Sequence, residues 1–157
     1  MRIVLVLVIV IALFAAGTAN PATPGKLCTP TQTTALINRF VTAFNAGDRY
    51  ALNNSIWSGR LYFKWYTVLA EPGFRSQPEA SRRDTLMDYF AARHAAAEHL
   101  TLISVKVNGR DIGNRGFEFH LLRSADDLPG GQVPYNGKAT SSCMNGRLTM
   151  WLMNATP

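Results

Sequence analysis

The sequence predicts an α+β domain in which helices cover one face of a curved antiparallel sheet. Three observations carry this prediction. Two segments with helical spacing of apolar residues come first, followed by one strand and a third helical segment. After Leu100 the apolar residues alternate, which is typical of half-buried strands. The pair Asn145-Gly146 joins the last two alternating segments as a tight hairpin. A chain of 157 residues suits one ordinary domain.

The N-terminus has the pattern of a secretory signal peptide. Arg2 is followed by an apolar run from Ile3 to Ala16 and then by the small residues of Gly17-Thr18-Ala19. We expect cleavage after residues 1–19, a secreted or extracytoplasmic location, and no stable membrane insertion of the mature chain. The alternative is a chain tethered to the membrane by an uncleaved N-terminal segment. The run is shorter than the roughly 20 residues that span a bilayer, which favours the signal peptide.

Cys28 and Cys143 are the two cysteines of the chain. In an oxidising compartment each can pair within the chain only with the other, so we expect a disulfide that closes nearly the whole domain. Two unpaired thiols are the alternative. The Cys-x-x-Cys spacing of redox-active pairs is absent, and two cysteines are too few for a four-thiolate zinc site.

Two helices are predicted at the start of the mature chain. Residues 20–28 form a short Pro/Gly linker, and residues 29–157 form a single domain. Thr29-Pro30-Thr31-Gln32 has the pattern of a capping box, so a helix should begin here, and Gly47 is placed to end it. Asp48 can cap a second, shorter helix. The apolar stripe of the first helix contains Leu36, Ile37, Phe40, Val41 and Phe44.

A strand and a third helix are predicted next. The strand, Leu61–Leu69, is rich in aromatic and β-branched residues, and alternation separates Phe63 and Trp65 from its other face. Residues 74–83 are polar and contain a proline, which predicts a loop. Residues 84–99 are rich in alanine and predict the third helix. Its expected buried face contains Leu86, Phe90 and Ala97, with His94 between them.

The last third of the chain predicts hairpin-linked strands. Ile103, Val105 and Val107 are apolar positions of the first, and Phe117, Phe119 and Leu121 are those of the second. The final pair covers residues 135–143 and 147–154. Each strand therefore offers one apolar face to the helices.

With these elements in order, the chain resembles the nuclear-transport-factor-2-like superfamily of cystatin-like cones, which includes polyketide cyclases and ketosteroid isomerases. The resemblance rests on the string Phe40-Val41-Thr42-Ala43-Phe44-Asn45-Ala46-Gly47-Asp48, the order helix, helix, strand, helix, strands, and the closing segments Gly137-Lys138-Ala139 and Met150-Trp151-Leu152. It implies a pocket at the open end of a cone, enclosed by the helices and the inner face of the sheet. It does not imply one reaction, because the fold serves many functions.

Candidate site residues follow from this cone. His94 is the candidate acid–base group, because a half-buried histidine can exchange protons near neutral pH; its alternative role is that of a hydrogen-bonded core residue. Aromatic walls suit a small apolar ligand, although aromatic residues more often serve as ordinary core. The candidate pocket residues are Trp57, Phe63, Trp65, Tyr66, Phe90 and Trp151.

The charge pattern gives little support for a nucleic-acid or metal partner. The 16 Lys and Arg residues exceed the 10 Asp and Glu residues, but the arginines are dispersed rather than clustered with aromatic residues. His94 and His99 are five residues apart, without the His-Glu-x-x-His pattern of zinc helices. We therefore expect no nucleic-acid partner, no metal and no cofactor.

Three functional hypotheses remain. The first is a secreted, disulfide-stapled domain that binds a small apolar ligand or a protein partner without catalysis. The second is a small lyase or isomerase that uses His94 in the cone. The third is an extracytoplasmic accessory or dimerisation module that forms a homodimer through its sheet face.

Overall fold

The computed structural model describes residues 28–68, 75–108 and 113–155. The predicted signal peptide and nearly all of the predicted linker lie outside these residues, as do residues 69–74, 109–112 and 156–157. None of the helices in the described ranges has both the length and the apolar character needed to cross a bilayer.

The first helix, α1, extends over Pro30–Asn45 and begins at the predicted capping box. Thr29 Oγ1 accepts a hydrogen bond from the Gln32 backbone, and the Gln32 side chain accepts one from the Thr29 backbone at 3.1 Å. Leu36, Ile37, Phe40 and Phe44 are buried on one stripe, whereas Val41 is half-buried. The chain turns at Gly47, which has a left-handed φ of +64°.

The second helical segment changes its hydrogen-bonding pattern after one turn. Asp48 caps α2, Arg49–Ala51, by accepting a bond from the Ala51 backbone at 2.9 Å. A single π-helical turn, Leu52–Ile56, follows directly. The third helix, α3, covers Arg83–Ala95.

Six strands form the main sheet, in the order β4-β1-β8-β7-β6-β5. The pair β1 and β8 is parallel, and the other neighbours are antiparallel. Two short strands, β2 and β3, form a separate pair. The bounds are β1 Trp57–Trp65, β2 Thr67–Val68, β3 Arg75–Ser76, β4 Glu79–Arg82, β5 His99–Asn108, β6 Asn114–Ser124, β7 Val133–Ser142 and β8 Leu148–Ala155.

The helices pack on the inner face of this sheet and close one hydrophobic core. Alternation in β1 places Phe63 and Trp65 in the core and Tyr62 outside, as predicted. The β7–β8 hairpin turns at Gly146, with φ +62°. Gly137 of β7 leaves room for a neighbouring side chain, because a Cβ at this position would lie 2.0 Å from the Phe119 ring.

The predicted disulfide is present between Cys28 and Cys143, whose Cα atoms are 4.7 Å apart. It fastens the residue before the α1 cap to the β7–β8 hairpin. Arg115 Nε donates to the carbonyl of Cys28 at 2.9 Å, and the Cys143 backbone donates to that of Gly113. The start of α1 is thereby attached to one end of the sheet.

Three local predictions were wrong. Ile103 was expected on the apolar face of β5, but the register shift between Leu102 and Ser104 leaves it 59% exposed. Residues 75–82 contain strands as well as a loop; β4 forms because an edge strand needs to bury only one residue, Ala80, against β1. The third helix ends at Ala95, and its buried stripe continues from Phe90 to Arg93 rather than to His94. Residues 93 and 94 both fit the helical spacing of the buried stripe. Arg93 is the one that is buried, because its guanidinium bonds to the carboxylates of Glu98 and Asp127.

Candidate functional site

His94, the candidate acid–base residue, lies at the surface between α3 and the end of α1. Its imidazole lies so close to Gly47 that a Cβ at Gly47 would be 2.6 Å from Nε2. It lines a depression of about 210 Å³ whose floor includes Phe44, Leu52 and Phe90. Its acid–base role stays a prediction, but its side chain is exposed, whereas the sequence placed it half-buried on the apolar face of a helix that borders the cone.

Five of the six candidate pocket aromatics lie inside the cone, and four of these, Trp57, Phe63, Trp65 and Phe90, pack against one another. Trp57, Phe63, Trp65 and Trp151 are fully buried, and Phe90 is 3% exposed. The Phe90 centroid lies 5.6–6.4 Å from those of Phe63, Trp57 and Trp65, within the range of favourable aromatic pairs. These rings occupy the space that the resemblance assigns to a ligand. Their role as ligand contacts stays a prediction.

Phe40 of α1 contacts tryptophan rings on two neighbouring strands, β1 and β8. Its centroid is 4.9 Å from that of Trp151 and 5.5 Å from that of Trp57. On β6, Phe119 stacks on Trp151 at 3.9 Å. The sixth candidate, Tyr66, is half-buried at the end of β1, and its backbone donates to Met153 at 3.0 Å.

A cluster of four charged residues, three of them buried, lies at the other end of the interior. Glu98 accepts from Arg123 Nε at 2.6 Å and also from Arg93 Nε. Arg93 continues the cluster with two bonds to the Asp127 carboxylate, at 2.6 and 2.7 Å. Two acids thus balance two bases in one chain of contacts, which we call the charged cluster.

Hydrogen bonds and burial shift the pKa values of Arg93 and Asp127. The bonds from Arg93 hold the pKa of Asp127 below its ordinary value, against the opposing effect of burial. Burial lowers the pKa of Arg93, but the bonds to Asp127 and the charge of Glu98 outweigh it and raise that pKa overall. Arg93 and Asp127 are therefore both charged at neutral pH and form an ion pair.

Arg123 also contacts two aromatic rings. Its guanidinium carbon lies 4.5 Å from the Trp65 ring centroid and 4.6 Å from that of Tyr135. This sandwich lets a cation with no solvent exposure lie beside the aromatic core. The Tyr135 hydroxyl and the Trp65 indole N–H are buried without a partner among the described residues.

The charged cluster was missed at the sequence level, although one signal was available. Phe117, Phe119 and Leu121 occupy the inward positions of β6, and the same alternation continues to Arg123. An inward arginine requires a buried acid, because an unpaired buried charge is costly. The sequence alone did not identify Glu98, which is 25 residues away along the chain.

The outer face of the sheet carries side chains that the core does not use. One groove of about 540 Å³ runs past His120, Asn136 and Leu152, and another of about 600 Å³ runs past Ile103 and Pro134. Both lie over β6 and β7. The face mixes apolar and polar side chains, which matches the composition of an association surface better than that of a catalytic site.

Comparisons with known proteins give matches of structure only. No protein-family model matches the chain, and no curated protein matches it in sequence. An uncharacterised protein with a cystatin-like fold from Caulobacter vibrioides superposes with a TM-score of 0.62 at 12% identity, over 79% of this chain and 87% of the other. A nuclear transport factor 2-like superfamily protein from Salmonella enterica gives 0.60 at 11%, over 81% and 90%.

A third structure, from Xanthomonas campestris, is named for a calcium/calmodulin-dependent protein kinase II association domain. It superposes with a TM-score of 0.63 at 14% identity, over 85% of this chain and 95% of the other. Identities this low establish the fold and leave the activity open. The chain therefore has the cystatin-like, nuclear-transport-factor-2-like cone fold that its sequence predicts.

Proposed function

We propose that this protein is an exported interaction module that pairs with a second copy of itself through the outer face of its sheet, without catalysis. The single observation that carries the proposal is the distribution of side chains between the two faces. The inner face is filled by aromatic rings that contact one another, whereas the outer face holds two separate apolar patches.

The first patch lies on β1 and β8. Tyr62 is 47% exposed, and it pairs in register with the half-buried Met150, beside Leu152. The second patch lies diagonally across the face, on β5, β6 and β7. There Ile103 is 59% exposed next to Leu122 and Pro134. Single exposed apolar residues are ordinary, but two patches on one face of the sheet support an association surface.

The arrangement of the patches suits a two-fold dimer. The middle of β7, at Asn136 and Lys138, lies midway between them in the sheet register. A two-fold axis can lie between two facing sheets, cross this point and run perpendicular to the line that joins the patches. Such an axis places the first patch of each copy on the second patch of the other. Lys138 lies 3.9 Å from Glu118, so the middle of the face carries one acid and one base rather than a net charge.

The outer face of the sheet is large enough for an interface of ordinary size. Five strands spaced about 4.8 Å apart, each with about eight residues rising 3.3 Å, cover roughly 24 by 26 Å. Once side-chain relief is added, this approaches the roughly 800 Å² that each partner buries in a standard interface. The name of the Xanthomonas structure, which refers to an association domain, is consistent with this use of the fold.

Sedimentation equilibrium of the secreted protein tests the dimer. We expect a dimer for the wild type and a monomer for Met150→Glu, because a carboxylate would be buried in the facing patch. The matched control is Met144→Glu, which makes the same chemical change at a residue that is 87% exposed on the hairpin. A monomeric wild type, or equal behaviour of the two variants, would contradict the proposal.

Export is tested by the mass of the secreted protein. Cleavage after Ala19 predicts a chain that begins at Asn20. A secreted or membrane-bound chain that still contains Met1 would contradict cleavage. The disulfide adds a second readout, because alkylation without reduction should modify neither Cys28 nor Cys143.

A further inference from the structure

A slot on the opposite side of the molecule from the sheet's outer face has a polar half and an apolar half. The polar half, of about 510 Å³, lies between α1, the π-helical turn and the β7–β8 hairpin. The apolar half, of about 360 Å³, lies between α1 and the α2 segment. Arg39 and Ser55 line both halves, so the two are continuous, and each volume is within the range of small-molecule pockets.

Two arginines face the polar half from opposite walls. Arg147 comes from the hairpin and is held in place by a bond from its guanidinium to the Asn54 carbonyl, at 2.5 Å. Its backbone donates to the Asn145 side chain. Arg39 comes from α1 and forms no hydrogen bond or ion pair with any residue in the described ranges. Neither arginine is neutralised by a carboxylate within the described part of this half.

The apolar half is formed by small side chains and one buried isoleucine. Ala43, Ala46 and Ala51 leave space at the surface, and Ile56 forms part of the floor. The acid here is Asp48, whose carboxylate already caps α2. A negative ligand group would be repelled at this end and attracted at the other, so the charges fix one orientation.

The local backbone is a second, independent observation. Asn54, Ser55 and Ile56, which form one wall of the slot, belong to the π-helical turn. Single π-turns are rare and occur frequently at functional sites, because they displace side chains from regular helical positions. Here the irregular turn presents a backbone carbonyl to Arg147 and places Ile56 under the apolar half.

From this geometry we propose that the slot binds a small anionic amphiphile, with its carboxylate or phosphate between Arg39 and Arg147 and its apolar body along Ala43, Ala46 and Ile56. Arginine suits such oxyanions because it can donate two parallel hydrogen bonds. A purely polar anion would leave the alanine half unused, and a neutral apolar molecule would leave both guanidiniums without a partner.

Titration of the secreted protein with octanoate, followed by ¹⁵N–¹H NMR, tests the slot. We expect shifts centred on α1 and the π-helical turn, with affinities for acetate and 1-octanol each at least tenfold weaker than for octanoate. Arg39→Gln should weaken octanoate binding about tenfold, as expected for the loss of one charge-assisted hydrogen bond. Thr42→Phe should abolish binding by filling the apolar half, since Thr42 is an exposed lining residue of α1.

The matched control is Arg60→Gln, which removes one charge from an exposed arginine of β1 outside the slot. It should leave the affinity unchanged. Equal weakening by Arg39→Gln and Arg60→Gln would reduce the effect to general charge attraction and overturn the proposal. Shifts elsewhere on the protein, or none up to millimolar octanoate, would also overturn it. These outcomes are separable from dimerisation, because none of the five residues changed in the dimer and slot variants and their controls belongs to both sites.

Discussion

The two ends of the interior are stabilised in different ways. Around Phe40, Trp57 and Trp151 the interior consists of aromatic rings in contact, and each ring is replaceable by another apolar side chain at moderate cost. Around Glu98 and Arg123 it consists of charges whose burial is tolerable only because every partner is present. The aromatic end depends on volume, whereas the charged cluster depends on a complete set of partners.

The charged cluster also joins parts of the chain that the aromatic end does not. Glu98 lies just after α3, Arg123 lies on β6, and Asp127 lies in the loop that follows β6. Because Arg93 and Arg123 share one carboxylate, a change at Glu98 affects helix, sheet and loop together. This difference predicts that a substitution at Glu98, the buried centre of the cluster, has a larger effect than a substitution among the rings.

The largest expected effect is that of Glu98→Ala. It leaves Arg93 with Asp127 alone and leaves Arg123 buried without its carboxylate. Breaking a buried pair in this way costs about 3–5 kcal/mol of unfolding free energy. Urea denaturation followed by tryptophan fluorescence measures it. A loss below about 1 kcal/mol would show that the cluster is dispensable.

A double substitution tests whether the loss of stability comes from leaving Arg123 buried without its carboxylate. In Glu98→Leu combined with Arg123→Met, the buried acid and base are removed together and replaced by apolar side chains. We expect the double variant to recover at least half of the stability that Glu98→Leu loses alone, roughly 2 kcal/mol, because apolar replacement of a buried pair is often neutral. Additive losses in the double-mutant cycle would contradict this interpretation.

The sequence predicted the apolar end of the molecule well and the charged end poorly. Leu36, Ile37, Phe40 and Phe44 were found from spacing because burial of a helix stripe is a local property, readable within a few turns. The Cys28–Cys143 bridge was found because only one intramolecular pairing exists. These inferences need no knowledge of distant neighbours.

The remaining features depend on tertiary neighbours. Whether α3 buries residue 93 or 94 is decided by Glu98 and Asp127, which approach from outside the helix. The π-helical turn after Ala51 and the slot beside it depend on the hairpin at Arg147, 93 residues from Asn54. Spacing rules within one segment carry no information about such contacts.

A smaller loss is expected at the aromatic end. Phe40→Leu keeps an apolar side chain but removes ring contacts to Phe44, Trp57 and Trp151. Each aromatic pair contributes about 0.5–1.5 kcal/mol, and repacking compensates in part, so we expect a loss of about 1–2 kcal/mol in urea denaturation. A loss as large as that of Glu98→Ala would remove the contrast between the two ends.

The smallest effect, and the one that depends on pH, is that of Asp127→Asn. The Asp127 side chain is 40% exposed, so its pair with Arg93 contributes at most about 1 kcal/mol. Because hydrogen bonds from Arg93 lower the pKa of Asp127 in the folded protein, the folded state binds this proton less readily than the unfolded chain. The contribution of the pair to the unfolding free energy is therefore fully present above the unfolded pKa near 3.8 and is lost as the pH falls through the lower folded value.

The unfolding free energies measured at pH 7 and at pH 3 should differ less for Asp127→Asn than for the wild type. The control is Asp126→Asn, which changes the exposed neighbour. An equal pH dependence in all three proteins would place the acid sensitivity of the fold outside the charged cluster.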